Sequence, residues 1–238
     1  MRRVILCICL LYLNLSFSQN SDLGSWNVLN IKQNFNSKFS AFTEAQLRSL
    51  NFYTNFHYYE YKFGVNYKIH QQVKLTFGLG SYQTYKEGGN FRLPKNNNEV
   101  RLWPQLLFTH SVGVFKIEQR YRTEFRFTSN GYRNRFRYRF GCSYSFGGIE
   151  KEYKPFQVSV SNELFFTDKE PYFERNRFIT AFNYKPSQKV TLQIGYLHQF
   201  DYKINDESGR DFLMLGYFVE LFTNSNSSKL SDTDIKDN

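Results

Sequence analysis

Residues 119–144, QRYRTEFRFTSNGYRNRFRYRFGCSY, place charge and aromatic ring at alternate positions. Arg120, Arg122, Glu124 and Arg126 share one parity; Tyr121, Phe125 and Phe127 share the other. Beyond Asn130-Gly131 the pattern resumes, with Arg133, Arg135, Arg137 and Arg139 against Phe136, Tyr138 and Phe140. A period of two is strand geometry, because successive side chains of a strand point to opposite faces. The stretch therefore reads as a hairpin with one charged and one aromatic face. Asn-Gly favours a two-residue type I′ turn, so Ser129 is expected to pair with Tyr132. That register sets Glu124 opposite Arg137, Arg122 opposite Arg139, Arg126 opposite Arg135 and Phe125 opposite Phe136. Arg135 and Arg139 then lie diagonal to Glu124, within reach of long side chains.

The same alternation runs along most of the chain. Glu44, Gln46 and Arg48 oppose Phe39, Ala41, Ala45 and Leu47; Glu60, Lys62 and Asn66 oppose Tyr59, Tyr61, Phe63, Val65 and Tyr67. Further runs cover 73–85, 99–110, 156–166, 175–185, 189–201 and 211–222. Turn-like connectors such as His70-Gln71-Gln72 and Lys185-Pro186-Ser187 alternate with longer polar ones at 86–98, 167–173 and 201–210. Period-two segments punctuated this way predict an all-β fold without a splitting linker. Aromatic residues make up 19% of the chain, with 26 Phe and 18 Tyr, and they suit a pleated, half-buried surface.

Alternation alone leaves open which face is inside. A soluble barrel turns its apolar face inward, whereas a membrane barrel turns it to lipid and lines its lumen with polar groups. The runs are 11 to 16 residues long, against about 5–6 for an average soluble strand and about 9–11 for a tilted membrane-spanning one. Ten strands each turning several rings inward would also overfill a small barrel, since about eight strands already enclose only enough room for side chains. In lipid every backbone group must be bonded, so the sheet must close. The predicted fold is a transmembrane antiparallel up-and-down β-barrel of about ten strands over 38–222, with both of its ends periplasmic. Residues 25–34 also read as a strand. They would pair at the edge, sit in the lumen or belong to a twelve-stranded barrel.

Residues 1–18 read as a secretory signal peptide: Arg2 and Arg3 precede an apolar run, and Ser16 and Ser18 supply the small residues three and one positions before the cleavage, which leaves Gln19 first. The run is shorter than the roughly 20 residues a spanning helix needs. Residues 19–37 form an N-terminal segment and 223–238 a polar tail with the composition of a disordered one. Removing the signal leaves Cys142 alone, so no internal disulfide forms, and the thiol reads as packing. The formal charge of +10 falls to +8 when Arg2 and Arg3 are lost. Export sets nucleic acid aside as the partner of that charge. The expected location is the outer membrane of a Gram-negative bacterium, with outer-membrane lipid, lipopolysaccharide and the barrel-assembly machinery as partners and small anionic solutes as further candidates.

The candidate functional residues are a lumen-lining charge network: Glu44, Arg48, Glu60, Glu99, Arg101, Glu118, Arg120, Arg122, Glu124, Arg126, Arg133, Arg135, Arg137, Arg139, Glu163, Arg175 and Arg177. Glu124 is expected in a cage of guanidiniums. Like-charged pairs need acids from neighbouring strands, for which Glu99, Glu118 and Glu163 are placed. Two uses of such a ladder compete: a salt-bridge network that fills a narrow lumen, and an electropositive constriction that selects anions. The first suits a barrel this narrow better. An enzyme that modifies lipid is a third reading. It would need His with Ser or an acid at the outer rim, and none of the four His residues has a matched pair in the sequence. No metal or cofactor motif appears.

Several stretches together resemble the uncharacterised outer-membrane barrels of domain-of-unknown-function family 2490. These are Gly24 to Trp26, EAQLR (Glu44 to Arg48), EVRLWPQ (Glu99 to Gln105), EQRYRTEFR (Glu118 to Arg126), RNRFRYR (Arg133 to Arg139), NELFF (Asn162 to Phe166) and a closing strand to Phe222. The resemblance spans nearly all of the mature chain, and the arginine–glutamate ladder is its most specific part. It implies an exported barrel and supplies no activity. The polar extension after Phe222 departs from barrels that end at the aromatic residue of their last strand.

Overall fold

The computed structural model describes residues 23–148, 153–202 and 207–223. The signal segment and the tail beyond Thr223 lie outside them. Eleven strands run in order: β1 (Gly24–Asn34), β2 (Phe39–Asn51), β3 (Thr54–His70), β4 (Val73–Lys86), β5 (Arg92–Val112), β6 (Phe115–Thr128), β7 (Gly131–Phe146), β8 (Phe156–Thr167), β9 (Phe173–Ser187), β10 (Val190–Asp201) and β11 (Ser208–Phe222). Each strand pairs antiparallel with its sequence neighbour, and β1 closes the barrel by pairing parallel with β11.

The count is thus eleven, within the ten-to-twelve range, and residues 25–34 are a full wall strand. Gly24 stands opposite Phe212 and Asn34 opposite Phe222. An odd strand reverses the direction of the chain, so the ends of the sheet part company. Phe39 and Phe222 share one rim, as a ten-stranded barrel requires, but β1 carries the chain on to the opposite rim at Gly24. Short turns at 35–38, 71–72 and 188–189 mark the rim of Phe222; the connections at 87–91 and 168–172 mark the rim of Gly24.

The apolar parity faces outward on the strands: Tyr61, Phe63, Phe77, Leu79, Phe127 and Ile194 are all exposed. Contacting aromatic rings follow both rims. Phe115, Tyr144, Phe146, Phe156 and Tyr184 form a chain at the short-turn end. Phe56, Phe91, Tyr59 and Tyr85 cluster at the other. An apolar band between two aromatic girdles is the surface that a bilayer covers.

The β6–β7 hairpin corrects the expected register. Thr128 pairs with Gly131 and Phe127 with Tyr132, leaving Ser129-Asn130 as the loop. Gly131 adopts a φ of 106°, so the glycine follows the turn instead of sitting inside it, as in a type I turn closed by a glycine bulge. Thr128 Oγ1 accepts the Asn130 N–H at 3.0 Å and donates to the Gly131 carbonyl at 2.8 Å, which fixes the arrangement. Glu124 now opposes Arg135, Arg122 opposes Arg137, Arg126 opposes Arg133 and Phe125 opposes Asn134. A shift of two residues keeps each side chain on its predicted face, whereas a shift of one would have inverted them all.

Several bulky side chains on the lumen parity sit directly across from glycine. Phe42 pairs with Gly64, Trp103 with Gly78, and Met214 with Gly195. A Cβ on Gly78 would lie 2.1 Å from Trp103 Cζ2. Gly78→Ala must therefore push a ring that is only 2% exposed out of its seat. The expected cost is about 1–3 kcal/mol, read as a lower urea midpoint of the refolded protein in detergent micelles. An unchanged midpoint would mean that Trp103 has another place to go.

Candidate functional site

Of the 17 predicted charge-network residues, all but Arg177 lie within 4.0 Å of an opposite charge among the described residues. Glu124, fully buried, is the centre. Arg135 Nη2 and Arg137 Nη1 each lie 2.6 Å from its carboxylate, and Arg101 and Arg122 approach to 3.7 Å from β5 and from its own strand. Glu163 on β8 binds Arg120 at 2.6 Å and Arg137 at 2.8 Å. Glu99 accepts two hydrogen bonds from Arg101, at 2.7 and 2.9 Å, and also binds Arg126. Arg139 is not a neighbour of Glu124; it meets Glu118 at 3.9 Å near the short-turn rim, the loosest part of the network. On the far wall Arg48 binds Glu60 at 3.1 Å, and Lys62 bridges Glu60, at 2.6 Å, and Glu44. Arg175 binds Asp201.

Two further acids, Glu174 and Asp201, complete the ladder. Glu174 reaches Arg135 at 3.3 Å and Arg126 at 3.6 Å. It stands next to Arg175 in sequence, so strict alternation would turn one of the pair outward. The register between β8 and β9 shifts at Phe165/Phe166, and such a bulge lets consecutive residues point inward together.

The lumen also holds aromatic and apolar groups, which stand on the polar parity of their strands. Arg48 lies 3.3 Å from the centroid of Trp26 and 4.0 Å from that of Tyr58. Arg101 stacks on Tyr82 at 3.7 Å and Arg122 on Trp103 at 3.9 Å. Phe165, fully buried, has Arg135, Arg137, Arg175 and Arg177 within 4.5–5.9 Å of its ring. Across from the ladder, Trp26, Ala181, Leu197, Phe212 and Met214 form an apolar cluster. The middle of the barrel thus holds buried charge on β2–β3 and β5–β9 and a buried apolar cluster from β9–β11 and β1. Towards the short-turn rim it continues in neutral hydrogen bonds, Thr76 to Asn66 at 2.7 Å and Gln193 to Asn183 at 2.7 Å.

Above this packing, at the rim of Gly24, the lumen widens into a vestibule of about 760 Å³. Its lining descends from Glu87, Lys169 and Arg210 to Lys62, Arg122 and Arg137, and includes no residue of the lower half of the barrel. Among the described residues twelve Arg and Lys side chains line it against six carboxylates. His57 joins the lining because the β2–β3 register skips it at a bulge.

The family described as Protein of unknown function (DUF2490) matches residues 23–210. The chain belongs to this family. The match spans β1 to the start of β11, so it takes in the odd strand and the whole ladder. No curated protein matches the sequence. Among solved structures the NanC porin, determined in a rhombohedral crystal form, is similar with a TM-score of 0.46 and 14% identity over 74% of this chain and 84% of that one.

On the outer face His198 Nδ1 meets Asp211 Oδ1 at 2.7 Å, and Tyr196 donates to the same oxygen at 2.5 Å. The acid missing from the sequence reading is present, supplied by cross-strand pairing. Among the described residues no hydroxyl nucleophile hydrogen-bonds to His198.

Proposed function

We propose that this family member is an outer-membrane β-barrel that binds in its vestibule and does not conduct. The outward apolar band with its two girdles and the exported N-terminus expected from the sequence support that location, in contact with lipid and lipopolysaccharide. Short turns then face the periplasm and the vestibule faces outward, as in barrels of this kind. One observation carries the reading of a closed lumen. At mid-height Phe165, fully buried, and the arginines packed on it meet the Glu124 and Glu163 carboxylates, and the vestibule's lining stops there. Bidentate, ring-stacked guanidiniums are held far more firmly than the loose charges of a selectivity ring. The reading assigns no catalysis.

Single-channel recording in a planar bilayer tests it. Protein shown by protease protection to be inserted is expected to give no steps in an asymmetric salt gradient. Steady anion-selective steps, reduced by Arg137→Ala, would replace this reading with a narrow anion-preferring channel.

A further inference from the structure

We infer that the vestibule is a binding site for a small, water-soluble polyanion, a solute bearing two or more carboxylate or phosphate groups, with Arg177 as its anchor. The inference rests on the proposed reading that the vestibule binds, and names what it binds.

Charge balance points there first. Counting Glu44, Glu124 and Glu163 behind the wall with the six lining carboxylates, the twelve lining cations of the described residues still exceed them by three. Unpaired charge inside a narrow protein lumen is costly and calls for counter-charge.

The excess is local. Arg177 is 7% exposed; Glu163 stands opposite it on β8 but spends its carboxylate on Arg120 and Arg137, and among the described residues no carboxylate lies within salt-bridge distance of Arg177. Its Nε donates to the neutral Gln199 Oε1 at 2.8 Å, while Gln199 spends its own amide on Asp201, the carboxylate that holds Arg175. One acid thus serves two arginines, and Arg177 is left with its planar fork uncommitted.

The surroundings suit an oxyanion. Arg177 lies 4.9 Å from the Trp26 ring, on which Arg48 also stacks. Arg48 Nε and His57 Nδ1 are buried on the vestibule side without a hydrogen-bond partner among the described residues. Guanidinium forks match carboxylate and phosphate geometry. About 760 Å³ lies within the range of small-molecule sites. The rim of the vestibule sets Lys169 and Arg210 against Glu87 and Glu170, with Arg210 held by Glu87 at 2.6 Å, so the cationic excess lies deeper, around Arg177.

Trp26 makes the site readable, because it and Trp103 are the only two tryptophans. Refolded full-length protein in detergent micelles is titrated with citrate and, separately, with inorganic phosphate, following tryptophan emission. Glucose and sodium chloride at matched ionic strength are the controls. Citrate is expected to give a saturable change that survives Trp103→Phe and disappears in Trp26→Phe. Arg177→Gln is expected to weaken citrate by about tenfold or more, the worth of a charge-assisted contact, with Arg177→Lys falling between. A merely structural Arg177 would lower the urea midpoint when replaced; an anchor held without a counter-ion should leave the midpoint unchanged or raised. Saturation with phosphate as well would widen the class to simple oxyanions and still support the site. A response matched by sodium chloride, or equal citrate affinity in Arg177→Gln, would overturn it. Bilayer current alongside intact citrate binding would sink the closed-lumen reading and leave the site standing. Silence without citrate binding would sink the site alone.

Discussion

Glu124→Gln is expected to destabilise the folded barrel by about 3–5 kcal/mol, the cost of removing one partner from a buried ionic network. Glu124 is fully buried, and four guanidiniums converge on it, Arg135 and Arg137 at 2.6 Å and Arg101 and Arg122 at 3.7 Å. The amide keeps the volume and two hydrogen-bonding atoms but loses the charge, so packing is nearly preserved while four cations lose their shared anion. Arg137 retains Glu163 and Arg101 retains Glu99. Arg122 falls back on the neutral Gln105 and its stacking on Trp103. Urea unfolding followed by tryptophan emission measures the loss. A double variant, Glu124→Gln with Arg135→Gln, should recover part of it, because the second change removes the cation that donates two hydrogen bonds to Glu124. The shortfall from additivity is the coupling between the pair. A Glu124→Gln protein as stable as the parent would mean that water reaches the centre of the ladder and that the lumen is not packed shut.

How far the sequence foretells this centre follows from what alternation encodes. It encodes faces, so it sends the 17 charged residues of the predicted network to the lumen and leaves out Glu174, beside a bulge, and Asp201, at a strand end. It does not encode register. Glu124 is opposed by Arg135 because Gly131 takes its positive φ after the turn and not within it, a choice fixed by Thr128 and invisible in the Asn-Gly dipeptide. Nor does it encode closure. Residues 25–34 read as a strand from their own pattern, but their parallel pairing with β11 joins segments nearly the whole chain apart. The deepest omission concerns rings. Trp26, Phe42, Trp103, Phe165 and Phe212 stand on the polar parity and look like breaks in a rule that sends aromatics to lipid. The signal that they are lumenal lies in the glycines. Gly64 and Gly78 also sit on the inward parity, each in a register position that clears space for one ring. Seeing this requires the pairing first, which is why composition and period alone suggest a purely ionic lumen.

Those inward rings turn a charged tube into a core, and Phe165 is the one on which most guanidiniums depend. Phe165→Ala is expected to cost about 3–5 kcal/mol, the range for deleting a buried phenyl group. Two effects combine in it. The lost ring leaves a void beneath four arginines that lie 4.5 to 5.9 Å from its centroid, and those cations lose a π face that attracts them. Phe165→Leu separates the two: it restores most of the volume without the quadrupole, so its smaller loss reports packing, and the residual difference from the parent reports the cation–π share. The void also adjoins the floor of the vestibule through Arg135 and Arg177, which line it. If the ring is what keeps the middle dry, Phe165→Ala should admit small, fluctuating current in the planar bilayer where the parent is silent, and Phe165→Leu should remain silent. A fully stable and silent Phe165→Ala protein would place the seal elsewhere, in the apolar cluster of Trp26, Leu197 and Phe212 on the opposite wall.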